Sequence, residues 1–112
     1  MKKQNKEVLV SGQSGSPGIV EGKVIVVRNI GEFGKMEEGA VLVTRITSPP
    51  WLPVIMKASA VITDTGGILS HPAIVCREFG IPAVVGTIES THKLSDGMKV
   101  IVDGYQGVVY KS

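Results

Sequence analysis

A single cysteine, Cys76, stands among the 112 residues, so the chain cannot form an internal disulfide, which fits a reducing compartment. No apolar run approaches membrane-spanning length, and the polar leader carrying Lys2, Lys3 and Lys6 lacks the apolar stretch of a signal peptide. Charge is nearly balanced: 12 Lys and Arg face 10 Asp and Glu, a net charge of +2. That is too small to hold nucleic acid or a membrane surface by electrostatics alone. The expectation is a cytoplasmic protein with no nucleic-acid or membrane partner. Also lacking are a Gly-rich nucleotide loop and a carboxylate cluster for magnesium, and one domain's length leaves no room for a catalytic barrel. His92, between Thr91 and Lys93 in a polar stretch read as a loop, has no cysteine or histidine nearby at metal-ligand spacing and reads as a surface residue. No metal site is expected in the chain.

What is present is ordinary globular material, with 43% apolar and 20% charged residues. Residues 1–7 read as a flexible leader and 8–112 as one domain. Short apolar, β-branched runs bounded by turn residues predict strands at Val8 to Val10, Gly22 to Val27, Ala40 to Thr44, Ala60 to Thr63, Ala83 to Val85, Lys99 to Val102 and Val108 to Tyr110. The Gly-rich stretch from Gly12 to Gly18 is expected to turn. Pro49, Pro50 and Pro53 interrupt the chain, and a short helix from about Leu52 to Ala58 is compatible with proline in a first turn. Trp51 among these prolines is expected to anchor a turn against the core. A second helix is signalled over Ser70 to Phe79. Many short strands with two short helices make a mixed α/β domain.

The chemistry concentrates between the strand ending at Thr63 and that second helix. Adjacent Gly66 and Gly67 permit a sharp turn and the close approach of another group, and Ser70 is a favourable N-cap whose hydroxyl can satisfy an orphan amide. An anion at such a helix start gains about 0.3–1 kcal/mol from the dipole alone. His71 stands in the first turn. With an intrinsic pKa near 6.5, its imidazole is largely neutral at cytoplasmic pH and can attack phosphorus through a ring nitrogen. At 100° per residue, Val75, Cys76 and Phe79 fall on one side and Arg77 and Glu78 on the other, with His71 at the edge between them. An isolated histidine is more often a surface or capped residue, and here the Gly-Gly-x-x-Ser-His context shifts the balance. Thr63 and Asp64 are expected to shape the turn. Arg77 is expected in a solvated or inter-element salt bridge, and Cys76 is a small core residue.

The segment GGILSHPAIVCREFGIPAVVGT, Gly66 to Thr87, resembles the signature of the phosphoenolpyruvate-utilising enzyme mobile domain, the swivelling phosphohistidine domain of phosphoenolpyruvate synthases, pyruvate phosphate dikinases, enzyme I and rifampicin phosphotransferases. Ser16-Pro17-Gly18 with Gly22 resembles that family's opening turn, and Asp103-Gly104 through Val109 its closing hairpin. The resemblance implies a swivelling β/β/α fold in which His71 is phosphorylated transiently and carries the group between a nucleotide-binding ATP-grasp domain and a phosphoenolpyruvate/pyruvate-binding or other acceptor domain, in cis or in trans. Ser70, Gly66 and Gly67 would stabilise the phosphate, and Ile68, Leu69 and Pro72 would form an apolar docking rim. The domain itself would bind no cofactor; magnesium and ATP would sit on the partners. Leu69 replaces the threonine of dikinases and enzyme I, and Cys76 replaces an alanine. The form is closest to synthase-like and rifampicin-phosphotransferase-like members. On this reading the chain is an excised domain or a free-standing carrier. Two other readings compete with it. A Ser70–His71 hydrolase lacks a Gly-x-Ser-x-Gly elbow and would need adjacent helical residues to point together. A non-phosphorylated swivel or regulatory module keeps the fold without the chemistry.

Overall fold

Strands of a sheet covered on both faces should read as unbroken apolar runs, because alternate side chains point to opposite, equally dry sides. Val41, Leu42 and Val43 fit this: all three are buried, Leu42 in one apolar cluster and its two neighbours in another. The computed structural model describes residues 6–112 and contains eight strands. They are β1 (Val8–Ser11), β2 (Gln13–Ser16), β3 (Ile19–Val26), β4 (Val41–Thr44), β5 (Ala60–Thr63), β6 (Ala83–Val85), β7 (Lys99–Asp103) and β8 (Val108–Lys111). The helices are α1 (Leu52–Ile55), α2 (His71–Phe79) and α3 (Ser90–Lys93), with 3-10 segments at Ile30–Lys35 and Pro49–Trp51.

The spatial order is β1-β8-β7-β3-β4-β5-β6-β2. β3 is shared by two half-sheets: Ile19 to Lys23 pair antiparallel with β7, and Val24 to Val26 pair parallel with β4. β4, β5 and β6 continue the parallel half. One cluster, including Val27, Leu42, Ile55, Val61 and Cys76, lies on the helix side of the parallel strands. The other, including Val24, Val43, Ile62, Leu94, Val100 and Val109, joins the two half-sheets. The result is the layered β/β/α arrangement expected of the sequence. Trp51 is buried, and Phe33 packs edge-on against it with ring centroids 4.9 Å apart. Cys76 is fully buried, and burial pushes its thiol up to about 12.

Several local expectations change. Residues 12–18 do not simply turn, since Gln13–Ser16 forms β2 by pairing with β6, with an irregularity between Ser14 and Ser16. Tertiary pairing overrides the turn propensity of the glycines. β1 and β2 lie at opposite edges of the strand order yet are separated by Gly12 alone, so the sheet curls until its edges meet there. Gly12 N donates to Gly107 O at 2.8 Å, and a Cβ on Gly12 would stand 2.2 Å from Val85 O. The residues around His92 are helical, as α3, although His92 itself is on the surface as expected. The helix expected over Leu52 to Ala58 covers only Leu52–Ile55, a single turn entered from the 3-10 segment Pro49–Trp51. Phe79, grouped with Val75 and Cys76 by angle, is 48% exposed, because Pro72, Ala73 and Cys76 carry the buried stripe of α2. Residues 1–5 of the expected leader lie outside the described residues, while Glu7 offers its carbonyl to Lys111 N at 2.8 Å.

Gly104 tests the closure of this fold. A Cβ there would lie 2.1 Å from Ser16 O, a backbone atom held in the β2 edge. Gly104→Ala should destabilise the domain by about 1–3 kcal/mol, the cost of overpacking a rigid contact, whereas Gly34→Ala, with nothing within 4 Å of the added carbon, should be close to neutral. Urea unfolding followed by circular dichroism distinguishes them, and equal midpoints for the two variants would contradict this packing.

Candidate functional site

In a parallel sheet every strand delivers its following loop to the same edge, which is where α/β proteins place their chemistry. Here the loops after β4, β5 and β6 meet. Thr44 O accepts from Asp64 N at 3.1 Å, and Arg45 O accepts from Thr65 N at 3.0 Å and from Thr65 Oγ1 at 3.1 Å. Thr63 O accepts from Thr87 N at 3.1 Å and Thr87 Oγ1 at 2.9 Å, and Asp64 O accepts from Ile88 N at 2.7 Å. Ile88 is held at φ 77, a left-handed conformation unfavourable for a β-branched residue and sustained by these bonds.

Asp64 ties the edge together. Its Oδ1 accepts from Ser90 Oγ at 2.6 Å and Thr91 N at 2.9 Å, and its Oδ2 from Thr91 Oγ1 at 2.6 Å. Burial alone would raise its pKa, but the hydrogen bonds from Ser90 and Thr91 outweigh it and hold the carboxyl below its ordinary value. The expectation that Thr63 and Asp64 shape the turn agrees with this, Thr63 Oγ1 donating to Thr65 O at 2.8 Å.

The turn that follows leads into α2. Gly66 has φ 104, and a Cβ on it would meet Ser70 Oγ at 2.9 Å. Gly67 O accepts from both Ser70 N at 3.0 Å and Ser70 Oγ at 2.6 Å. Ser70 therefore stands at the N-cap position but its hydroxyl does not cap the helix as expected; it closes the preceding turn. Arg77 corrects another expectation: instead of forming a salt bridge, it donates to Gly15 O at 2.8 Å and Ile68 O at 2.7 Å, bolting the turn to β2 and α2. The outer part of the turn is apolar and open, with Leu69 80% and Ile68 56% exposed. Pro72 is buried and does not belong to that rim, while Ile74 is half-exposed beside it.

His71 is partly exposed at the first position of α2. Its Nδ1 lies 2.7 Å from Thr47 Oγ1, on the loop after β4. Burial lowers its pKa below the ordinary histidine value, favouring the neutral ring. Among the described residues nothing bonds Nε2, and no cluster of three or more His, Cys, Asp or Glu is gathered for a metal. No described helix is long and apolar enough to cross a membrane. Thr47 was not singled out in the sequence; it lies 24 residues from His71, and only the parallel pairing of β4 with β5 brings them together. Pro72 has no N–H, so the first-turn donors available to an anion are the amides of His71 and Ala73.

The family described as PEP-utilising enzyme, mobile domain, matches residues 36–107. The chain is 56% identical over 105 residues to the phosphoenolpyruvate synthase of Aeropyrum pernix, which covers 93% of this chain and 13% of that protein. The phosphoenolpyruvate synthase of Pyrococcus furiosus is 50% identical over 108 residues, covering 96% of this chain and 13% of its own length. The uncharacterized phosphotransferase YvkC of Bacillus subtilis is 46% identical over 106 residues, covering 95% and 13%. This chain thus spans about 13% of the length of those relatives. Among solved structures, the NMR solution structure of Enzyme I aligns with a TM-score of 0.59 and 37% identity over 69% of this chain and 32% of that one. The holo-form of Thermococcus kodakaraensis aconitase X, with a TM-score of 0.63 but 23% identity over 90% and 95%, shares the fold alone.

Two titrations follow from the site. The His71 ring should titrate below 6.5 in proton NMR of the folded chain, and a midpoint at or above 6.5 would contradict the burial described. Asp64 has a folded pKa below its unfolded value, so its contribution to stability is complete above the unfolded value near 3.8 and is lost as pH falls through the folded value. Asp64→Asn should therefore cost about 1–3 kcal/mol at pH 7, the price of unmatched buried donors. The gap to the native chain should narrow in acid, as unfolding curves at pH 7 and pH 3 would reveal.

Proposed function

Because the chain belongs to the PEP-utilising enzyme mobile-domain family, we propose that it is a phosphoryl carrier in which His71 Nε2 takes a phosphoryl group from one active site and gives it to another. The observation that carries this reading is the 2.7 Å contact between His71 Nδ1 and Thr47 Oγ1, with no described residue bonded to Nε2. When Nδ1 keeps its proton and donates it to Thr47, the lone pair resides on Nε2. A neutral ring is the nucleophilic form, and burial favours it.

In the forward step Nε2 attacks phosphorus in line. The N–P bond forms, the P–O bond to the leaving group breaks, and its electron pair departs on that oxygen. The Nδ1 proton stays directed at Thr47, so the phosphorylated ring is held in the same orientation. The amides of His71 and Ala73 are the first-turn donors that remain for the added charge, and Ser70 must turn its hydroxyl away from Gly67 O to donate to it. Gly66 and Gly67 contribute by keeping the turn close and uncluttered. Ile68 and Leu69 form the rim that enters each partner's cleft, with Ile74 taking the place expected of Pro72.

On this reading the partners are an ATP-grasp nucleotide-binding domain, which holds magnesium and ATP, and a phosphoenolpyruvate/pyruvate-binding or other acceptor domain, in cis or in trans, in a cytoplasmic setting. The domain swings between them as one body, a motion of the microsecond to millisecond class. The names of the relatives, phosphoenolpyruvate synthases among them, support pyruvate and phosphoenolpyruvate as the second pair.

Incubation with the nucleotide-binding domain of a family synthase and ATP should yield an acid-labile, base-stable adduct that His71→Ala abolishes. Thr47→Val should slow its formation by about two- to tenfold, the worth of one hydrogen bond of about 0.5–1.5 kcal/mol. Leu69→Asp should slow transfer from the protein donor while leaving the circular dichroism spectrum unchanged. An adduct that survives His71→Ala, or none at all after rapid quenching, overturns the proposal.

A further inference from the structure

Ile88 strains the fold without packing into it. Its backbone stands at φ 77, a region that a β-branched residue enters only under constraint, and its side chain is 81% exposed. The residue lines a groove of about 490 Å3. One wall is β1 along its whole length, Val8 to Ser11, and the other is Thr87, Ile88, Glu89 and Lys93. The walls meet at Gly12, where an added Cβ would stand 2.2 Å from Val85 O and 3.1 Å from Thr87 N. From there the groove opens toward Val8, which is 54% exposed.

β1 is a terminal strand of the spatial order, with β8 its one strand neighbour among the described residues. Its pairing decides which main-chain groups stay open. Glu7 O accepts from Lys111 N at 2.8 Å and Gly12 N donates to Gly107 O at 2.8 Å, so the residues flanking β1 at both ends turn toward the β8 side. Successive residues of an antiparallel pair alternate in that direction, and the bulge between Val8 and Val10 supplies the one-residue change of phase. Val8 and Ser11 therefore direct their N–H and C=O groups away from β8. Outside the β1–β8 ladder, no main-chain hydrogen bond among the described residues uses either of them. β1 carries none of the lysine, proline or charge that blunts a solvent-facing edge. Its four-residue length, its bulge and the second wall oppose the flat edge of another sheet, whereas a single extended chain needs only about 4.8 Å beside β1.

We propose that this groove seats an extended polypeptide segment, added to β1 as a further strand, with its main chain on Val8 and Ser11 and an apolar side chain against Ile88. Glu89 and Lys93 of the second wall pair with each other at 3.2 Å, so the groove selects no net charge in the segment. In relatives of which this chain spans about 13%, the segment comes from the remaining length. Ile88 N is bonded to Asp64 O, which ties the seated strand to the sheet edge that carries the reactive turn. The site goes beyond the carrier reading of His71 and does not depend on it.

The probe is an array of overlapping peptides that covers the remainder of the 56%-identical synthase. At least one peptide should bind the chain and, titrated into 15N-labelled protein, move the amide signals of Val8, Ser11 and Ile88 saturably, with nuclear Overhauser contacts from its main chain to Val8 and Ser11. Val8→Pro removes an open donor but no bond to β8, and should weaken that peptide about tenfold. Ile88→Gly accepts the positive φ without strain; it should raise the melting temperature while weakening the peptide by a similar factor, a combination that a purely structural residue would not give. Met56→Gln, at an exposed apolar side chain at the end of α1, should leave the affinity unchanged. Absence of any binding peptide, shifts confined to Ile68 through Ile74, or indifference to both Val8→Pro and Ile88→Gly would overturn the assignment. Self-association of the free chain that Val8→Pro abolishes would overturn it too, since the occupant would then be a second copy. Phosphorylation of His71 reports separately: its absence counts against the carrier reading and leaves the peptide result standing.

Discussion

A carboxylate that is 7% exposed survives in a protein only if its oxygens are saturated with donors, and Asp64 meets that condition by drawing on Ser90 and Thr91 across the sheet edge. The consequence is geometric. Asp64 opens the turn that carries Gly66, Gly67 and Ser70 into α2, while Ser90 and Thr91 begin α3, so one buried charge fixes the loop after β5 against the loop after β6. Ile88, kept at a positive φ with its amide on Asp64 O, is part of the same clamp.

On that clamped edge the His71 ring is held by few contacts. Thr47 contacts the ring through Nδ1, burial favours the neutral ring, and no described residue bonds Nε2. A carrier needs this division, because the ring must keep one orientation while its environment changes from one partner's cleft to another's. On the carrier reading, rigid positioning comes from backbone hydrogen bonds between adjacent parallel strands, and reach would come from movement of the whole domain.

Much of the fold was legible in the residues. The β-branched runs at Val24 to Val27, Val41 to Val43 and Ala60 to Ile62 are buried on both faces, and such runs announce central strands whatever their neighbours. β2 was not legible, since Gln13–Ser16 contains no apolar residue and becomes a strand only because β6 offers it an edge. The site divided in the same way. Gly66, Gly67, Ser70 and His71 could be found because they are close in the chain and their chemistry is local. Thr47 and the Asp64 clamp could not, because each depends on residues 24 to 27 positions apart.

The sequence alone determined where α2 begins and that the domain is α/β, since both follow from short-range rules of glycine, helix starts and apolar periodicity, and it singled out His71 as the candidate nucleophile by its place in that helix start together with a family resemblance. Only the tertiary structure decided that Ser70 closes a turn instead of capping α2, that Pro72 is buried, that Arg77 bolts carbonyls instead of pairing with a carboxylate, and that Nδ1 of His71 is the anchored nitrogen. Each of these is a choice of hydrogen-bond partner or of burial. Such choices are made by strand pairing, which brings distant residues within bonding distance and which no local pattern of residues can encode.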